Sequence, residues 1–262
     1  MIFDSHAHYD DEAFDEDRET LLNTLEEKGI GIVVNVGASM ESTKDSVELA
    51  HKYEFIYAAV GVHPNETGKL TVDDMNKLEE YSKDNKVVAI GEIGLDYHFI
   101  EPDKEIQMHW FRKQLDVAVK TQLPVIIHSR DAANDTMNIL KEYQGKISGG
   151  VIHCYSYSTE MAREYVKMGY YIGIGGVLTF KNSKKLKEAA LDIPLERIVL
   201  ETDCPYLSPE PFRGKRNSSD KLEYVVKTLS EIKGISEEDI IKETYKNAVN
   251  MYGGLDGIIR NT

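Results

Sequence analysis

The chain has 262 residues, of which 45 are acidic and 31 basic, giving a formal net charge of −14. A negative field of this size excludes a general affinity for nucleic acid or anionic membranes, although one local basic face can still bind phosphate. Two cysteines are too few for a disulfide framework and indicate a reducing compartment. Because no apolar run approaches the roughly 20 residues of a membrane span and no signal sequence is evident, we expect a cytoplasmic protein without a membrane partner.

Short runs rich in Val and Ile alternate along the chain with segments of helical spacing. The eight runs are residues 2–4, 30–36, 55–60, 87–90, 125–127, 150–152, 170–174 and 198–200. Between them, apolar residues recur every three or four positions, as in Phe111, Leu115 and Ala118. Strands that alternate with helices predict parallel βαβ units. Two more helices are expected near the C-terminus, one from about Asp220 and one through residues 245–251.

Eight such units predict an α/β protein with a (β/α)8 TIM barrel, formed as a single domain by residues 1–262. A doubly wound sheet is the alternative, but it usually has fewer strands and a glycine fingerprint after the first strand. No such fingerprint follows the first apolar run of this sequence. We found no linker, repeat or low-complexity tract that would divide the chain.

Histidines gather at the C-terminal ends of the predicted strands, where barrels of this type carry their active sites. With 8 histidines in 262 residues, roughly 24 strand-end positions should hold fewer than one by chance. Five occur there together with two carboxylates: His6, His8, His63, His128, His153, Glu92 and Asp203. Because residues two apart on a strand face the same side, the first two imidazoles should project together. This ring of side chains predicts a metal site.

Imidazoles and carboxylates are ligands for Zn, Mn, Co or Ni, and their number here exceeds what one tetrahedral ion uses. We therefore predict two divalent metal ions that activate a water for attack on carbon or phosphorus. Asp203 is the carboxylate that we expect to take up the proton. Thiolate ligation by Cys154 or Cys204 is not expected, because each follows a candidate ligand and neighbours on a strand face opposite sides.

Six ordered motifs stand at or near the predicted strand ends: IFDSHAHYD at 2–10, GVHP at 61–64, GEIGLDY at 91–97, IHSRDA at 127–132, IHC at 152–154 and ETDCPY at 201–206. Together they resemble the motifs of the TatD family of metal-dependent deoxyribonucleases within the amidohydrolase-like barrels. The resemblance implies nuclease activity supported by ions such as Mg or Mn. It also implies these ligands: His6, His8 and Asp203 for one ion, His128 and His153 for the other, with Glu92 bridging.

The loop at 211–217, with sequence PFRGKRN, resembles a basic segment of the same family. Guanidinium groups bind phosphate oxygens bidentately, and loops after the last two strands of a barrel are favoured phosphate sites. We therefore predict that Arg213 and Arg216, with Arg130 and His63, bind substrate. A solvated basic loop is the alternative for the arginines, and a loop-bracing role is the alternative for the histidine. The family continues with Glu-Pro where this chain has Ser-Ser at 218–219, outside the predicted ligands.

The leading hypothesis is an exonuclease that acts on DNA or another phosphate ester, because a barrel mouth admits an end more readily than a continuous duplex. An amidohydrolase, lactonase or esterase with a small substrate is the alternative, since the same two-metal site can attack a carbonyl carbon. A purely structural role for the metals is less well supported, because structural sites are usually saturated by protein ligands. We expect a monomer without an obligate protein partner.

Overall fold

The computed structural model describes residues 1–253 and Leu255. Eight parallel strands lie side by side in chain order, from β1 to β8. Their bounds are β1 Ile2–Ala7, β2 Ile30–Val36, β3 Ile56–Val60, β4 Val87–Asp96, β5 Val125–Arg130, β6 Gly150–Ile152, β7 Tyr171–Ile174 and β8 Ile198–Leu200. A bridge between Ala7 and Cys204 joins the last strand's exit to the first strand. The (β/α)8 barrel predicted from the sequence is confirmed.

A helix follows each strand, and one more helix ends the described chain. Their bounds are α1 Arg18–Leu22, α2 Met40–Lys52, α3 Val72–Tyr81, α4 Lys104–Thr121, α5 Ala133–Glu142, α6 Thr159–Lys167, α7 Lys184–Asp192, α8 Leu222–Lys233 and α9 Glu237–Tyr252. The local sequence fixes where α3 begins, because Thr71 forms a capping box with Asp74. Within residues 1–253, no helix is long and apolar enough to cross a membrane.

The last helix packs against the apolar residues of the barrel. One buried cluster joins strand side chains such as Phe3, Ile126 and Val199 to residues of α9. The ring of Tyr252 stacks on that of Phe3 at 5.9 Å between centroids. The side-chain amide of Asn247 donates to the carbonyl of Ile198, the first residue of β8, at 2.8 Å. Because α9 lies against the start of a strand, it leaves the C-terminal ends of the strands open for a site.

Three strands run further than predicted from the sequence. β1 continues from residue 4 to Ala7, β4 from residue 90 to Asp96 and β5 from residue 127 to Arg130. The added residues include His6 and Glu92, which are fully or almost fully buried at 0% and 3% exposure. A strand predicted from a run of apolar residues ends at the first polar residue. These polar side chains nevertheless have partners inside the barrel, so the strand continues.

Candidate metal centre

The imidazoles of His6 and His8 meet at the end of β1, with their Nε2 atoms 3.0 Å apart. Asp203 Oδ1 lies 3.7 Å and 3.4 Å from these two nitrogens. Glu92 Oε2 lies 3.5 Å and 3.8 Å from the same nitrogens. Ligands held about 2.1 Å from one ion are separated from each other by roughly 3.0 to 3.5 Å. The donor atoms therefore fit a single divalent ion among them.

The other oxygen of Glu92 faces a second group of imidazoles. Its Oε1 is 2.7 Å from Nδ1 of His128 and 3.7 Å from Nε2 of His153. The same nitrogen of His153 is 3.6 Å from Asp203 Oδ1, so the two groups adjoin each other. A carboxylate with one oxygen toward each group has the arrangement of a bridging ligand. The other five residues predicted as metal ligands thus come together around Glu92.

His63 adjoins this second group. Its Nε2 is 4.0 Å from Glu92 Oε1, and ligand atoms of His63, Glu92 and His128 all lie within 4.8 Å of one another. Burial and the neighbouring His128 lower the pKa of His63 to about 4, so its ring is neutral near pH 7. A neutral imidazole can ligate a metal as well as contact substrate. The substrate role stays a prediction, and these distances also make the ring a candidate metal ligand.

The charges of neighbouring histidines keep the carboxylates of Glu92 and Asp203 ionised. Burial raises the pKa of Glu92, but the charges of His153 and His6 outweigh it and hold that pKa well below its ordinary value. The pKa of Asp203 is also lowered, because His153 and His8 together outweigh its burial. Metal ligands of this type must be deprotonated to bind. Both carboxylates meet that requirement near neutral pH.

Contacts behind the ligands hold the imidazole rings in place. Nδ1 of His8 lies 2.8 Å from the carbonyl oxygen of Val36. Nδ1 of His153 lies 3.2 Å from Glu201 Oε2, an ion-pair contact without hydrogen-bond geometry. Metal-binding imidazoles usually have such a partner on the ring nitrogen that does not ligate. Glu201 stands within the ETDCPY motif at 201–206, whereas the carbonyl of Val36 leaves no signal in the sequence.

Sequence reasoning missed the buried carboxylate of Asp4. It accepts hydrogen bonds from the backbone N–H of Thr202 at 3.0 Å, from the Thr202 hydroxyl at 2.7 Å and from the Ser219 hydroxyl at 2.6 Å. Next along the chain, Asp203 has a φ of 57°, which residues with side chains rarely adopt, and its N–H donates to the carbonyl of His6 at 2.9 Å. Asp4 therefore holds the segment that presents Asp203.

The position of Cys154 differs from the expectation for a strand residue. β6 ends at Ile152, and Cys154 has a φ of 45°, so the alternation of strand side chains does not apply to it. Ligand atoms of His153, Cys154 and Asp203 lie within 4.8 Å of one another. Burial and the charge of Asp203 raise the pKa of Cys154 well above its ordinary value, which keeps the sulfur a thiol. A thiol is a poor metal ligand.

A cavity of about 840 Å³ opens above the cluster. His63 and Arg130 line it, and Arg130 is the only Lys or Arg among the described lining residues. The two arginines of the 211–217 loop lie beyond that lining. The guanidinium of Arg213 lies 4.5 Å from the ring centroid of Phe180. The guanidinium of Arg216 pairs with both carboxylate oxygens of Asp17 at 2.7 Å and 2.6 Å. Their binding of substrate stays a prediction.

Comparison with known proteins agrees with this geometry. A family profile described as "TatD related DNase" matches residues 3–253. The chain is 42% identical over 252 residues to the "uncharacterized metal-dependent hydrolase YabD" of Bacillus subtilis, covering 96% of this chain and 99% of that one. It is 31% identical over 256 residues to YcfH of Escherichia coli K12, which carries the same description, with 96% of each chain covered. The crystal structure of YjjV, a TatD homologue from Escherichia coli, superimposes with a TM-score of 0.90 at 30% identity, covering 96% of this chain and 98% of that one.

The barrel, the cluster of ligands and these relatives define a metal-dependent hydrolase. Within that class, the chain belongs to the TatD family.

Proposed function

We propose that this protein is a deoxyribonuclease that removes nucleotides from an end of DNA with the help of two divalent ions. The observation that carries the proposal is the position of Glu92, whose two oxygens face two groups of ligands 2.7 to 3.8 Å away at the floor of one cavity. The family's description as DNases supports a phosphodiester substrate. Arg130, which lines the same cavity, supplies a guanidinium for a phosphate oxygen.

We assign each residue of the site one role in phosphodiester hydrolysis: metal binding, proton transfer or substrate orientation. His6, His8 and Asp203 would hold one ion, His128 and His153 the other, and Glu92 both. When bound, such ions neutralise phosphate charge and lower the pKa of a water. Asp203 takes up the proton, because its side chain is 19% exposed toward the cavity whereas that of Glu92 is only 4% exposed. His63, also at the cavity, orients the phosphate or the leaving group.

The test is turnover of single-stranded DNA labelled at its 5′ or 3′ end. Metal-stripped protein receives Mg, Mn, Zn or Co, and Asp203→Asn serves as the inactive variant beside Glu27→Gln, which changes an exposed carboxylate in the same manner. We expect metal-dependent laddering from one end that Asp203→Asn loses and Glu27→Gln keeps. Intact DNA under every metal, with turnover of a simple ester, would contradict the nuclease assignment.

A hydrolase of small esters or amides is the second candidate. The observation that favours it is the paucity of basic residues at the cavity, where Arg130 is the only Lys or Arg among the described lining residues. The variant Arg130→Ala separates the two candidates. A nuclease should lose at least about tenfold in kcat/KM on DNA, because a charged hydrogen bond to phosphate is lost. Hydrolysis of a neutral ester should be unchanged in the same variant.

A further inference from the structure

Two large aromatic side chains stand exposed at the mouth of the cavity. Phe99 is 51% exposed and Tyr206 is 56% exposed, although both line the cavity above the metal cluster. Two other tyrosines that follow strands, Tyr9 and Tyr155, are buried at 0% and 2% exposure. Exposed apolar surface inside a ligand cavity points to contact with a ligand.

The two rings come from opposite sides of the barrel. Phe99 follows β4, which ends at Asp96, and Tyr206 follows β8, which ends at Leu200. In a ring of eight strands in sequential order, β4 and β8 lie diametrically across from each other. The ligand cluster at the floor of the cavity is therefore flanked by one aromatic ring on each side.

The surroundings of each ring narrow the chemistry of the ligand. The guanidinium of Arg130 is 5.8 Å from the centroid of the Phe99 ring, so a phosphate-binding group and a flat apolar face stand within one nucleotide of each other. On the other side, the hydroxyl of Tyr206 donates to Asp11 Oδ2 at 2.9 Å, which anchors that ring at the rim. Leu207, 38% exposed, adds apolar surface beside it.

We propose that Phe99 and Tyr206 are stacking sites for the nucleobases on either side of the scissile phosphate. The inference rests on the proposed function and adds two subsites that would hold unpaired bases. In a duplex the base faces are stacked on one another, whereas single strands offer them to aromatic side chains without sequence preference. A small ester without a ring system would leave both side chains unused.

The test measures binding by calorimetry to the manganese-loaded protein. The probes are 5′-dAMP and 3′-dAMP, each compared with the 5- or 3-phosphate of 1,2-dideoxyribose, which carries the same phosphate and lacks the base. Stacking on an aromatic side chain should make at least one nucleotide bind roughly 5- to 100-fold more tightly than its baseless partner. Phe99→Ala or Tyr206→Ala should remove that preference, whereas Phe99→Tyr and Tyr206→Phe, which keep a ring, should retain it.

The adjacent variant Ile100→Ala is the matched control, because this residue is 89% exposed and is not among the cavity-lining residues. Equal binding of nucleotides and baseless phosphates, or a base preference that survives the double alanine variant, would overturn the stacking sites. If nucleotides bind more tightly than the baseless phosphates but DNA stays intact in the nuclease assay, the stacking sites are supported and DNA is refuted as the substrate. If DNA is cleaved but the base adds nothing to binding, the nuclease is supported and the stacking sites are refuted.

Discussion

Glu92 is the residue on which the two ligand groups depend, because each of its oxygens faces a different group. Sequence reasoning could find it and the ligand histidines, since all stand where an apolar run ends and a barrel places its active site. It could not find Asp4, whose partner Ser219 is 215 positions away along the chain. It also could not see that the guanidinium of Arg216 is already paired with Asp17, because that contact depends on how a loop lies against the start of α1.

The protonation of two ligands predicts how metal affinity changes with pH. Burial lowers the pKa of His8, but Asp203 outweighs it and raises that pKa to about 9. Burial likewise lowers the pKa of His153, but Glu201 and Glu92 outweigh it and raise that pKa to about 10. Both rings are therefore imidazolium ions at pH 7, and a metal ion must displace one proton from each ring to bind it. Affinity for Mn or Zn should therefore rise between pH 6 and pH 9.

Calorimetry in buffers of different ionisation enthalpy measures this effect directly. We expect proton release on metal binding at pH 7, and less release as the pH approaches 10. Metal binding with no proton release at pH 7 would show that the two imidazoles are neutral before the ion arrives. His51→Ala is the matched control, because this exposed imidazole pairs with Asp84 away from the cavity.

The join between β8 and β1 positions three of the predicted metal ligands, His6, His8 and Asp203. The N–H groups of Thr202 and Asp203 both donate to the carbonyl of His6, and the N–H of His8 donates to that of Cys204. The positions of all eight strands were predictable from their apolar runs. The ends of β1, β4 and β5 were not predictable, because polar residues continue these strands. The irregular segment that carries Asp203 at a positive φ was not predictable either.

Ser219 hydrogen-bonds to β1 next to this join, so removing its hydroxyl should lower metal affinity. Its hydroxyl donates to Asp4, and its backbone N–H donates to the hydroxyl of Tyr9 at 2.9 Å. Ser219→Ala leaves a buried carboxylate with one donor fewer, which should cost about 1 to 3 kcal/mol in the free energy of unfolding. Affinity for the first ion should also fall about tenfold or more, as for other supporting contacts.

Thermal unfolding and metal titration of the Ser219→Ala protein check both effects. Ser148→Ala is the matched control, because this exposed hydroxyl makes a single bond to a carbonyl far from the site. Unchanged metal affinity in Ser219→Ala would refute the role of this contact in presenting Asp203.

The whole protein has a net charge of −14. Among the described residues, Arg130 is the only Lys or Arg that lines the cavity. Such a protein makes few direct contacts between cations and phosphates, so few counterions are released when DNA binds. We predict that the logarithm of DNA affinity falls with the logarithm of salt concentration with a slope of about −2 or shallower. Fluorescence anisotropy of a labelled single strand with metal-loaded protein measures that slope. A slope steeper than about −4 would point to an additional basic surface, such as the 211–217 loop.

We propose that two divalent ions bind on either side of Glu92, with one carboxylate oxygen facing each ion. The most direct measurement is anomalous diffraction from crystals grown with Mn, for the native protein and for Glu92→Gln. We expect two peaks in the native protein, one among His6, His8 and Asp203 and one beside His128 and His153, with at least one peak lost in the variant. A single peak, or two peaks that persist in Glu92→Gln at the same occupancy, would contradict a centre that Glu92 holds together.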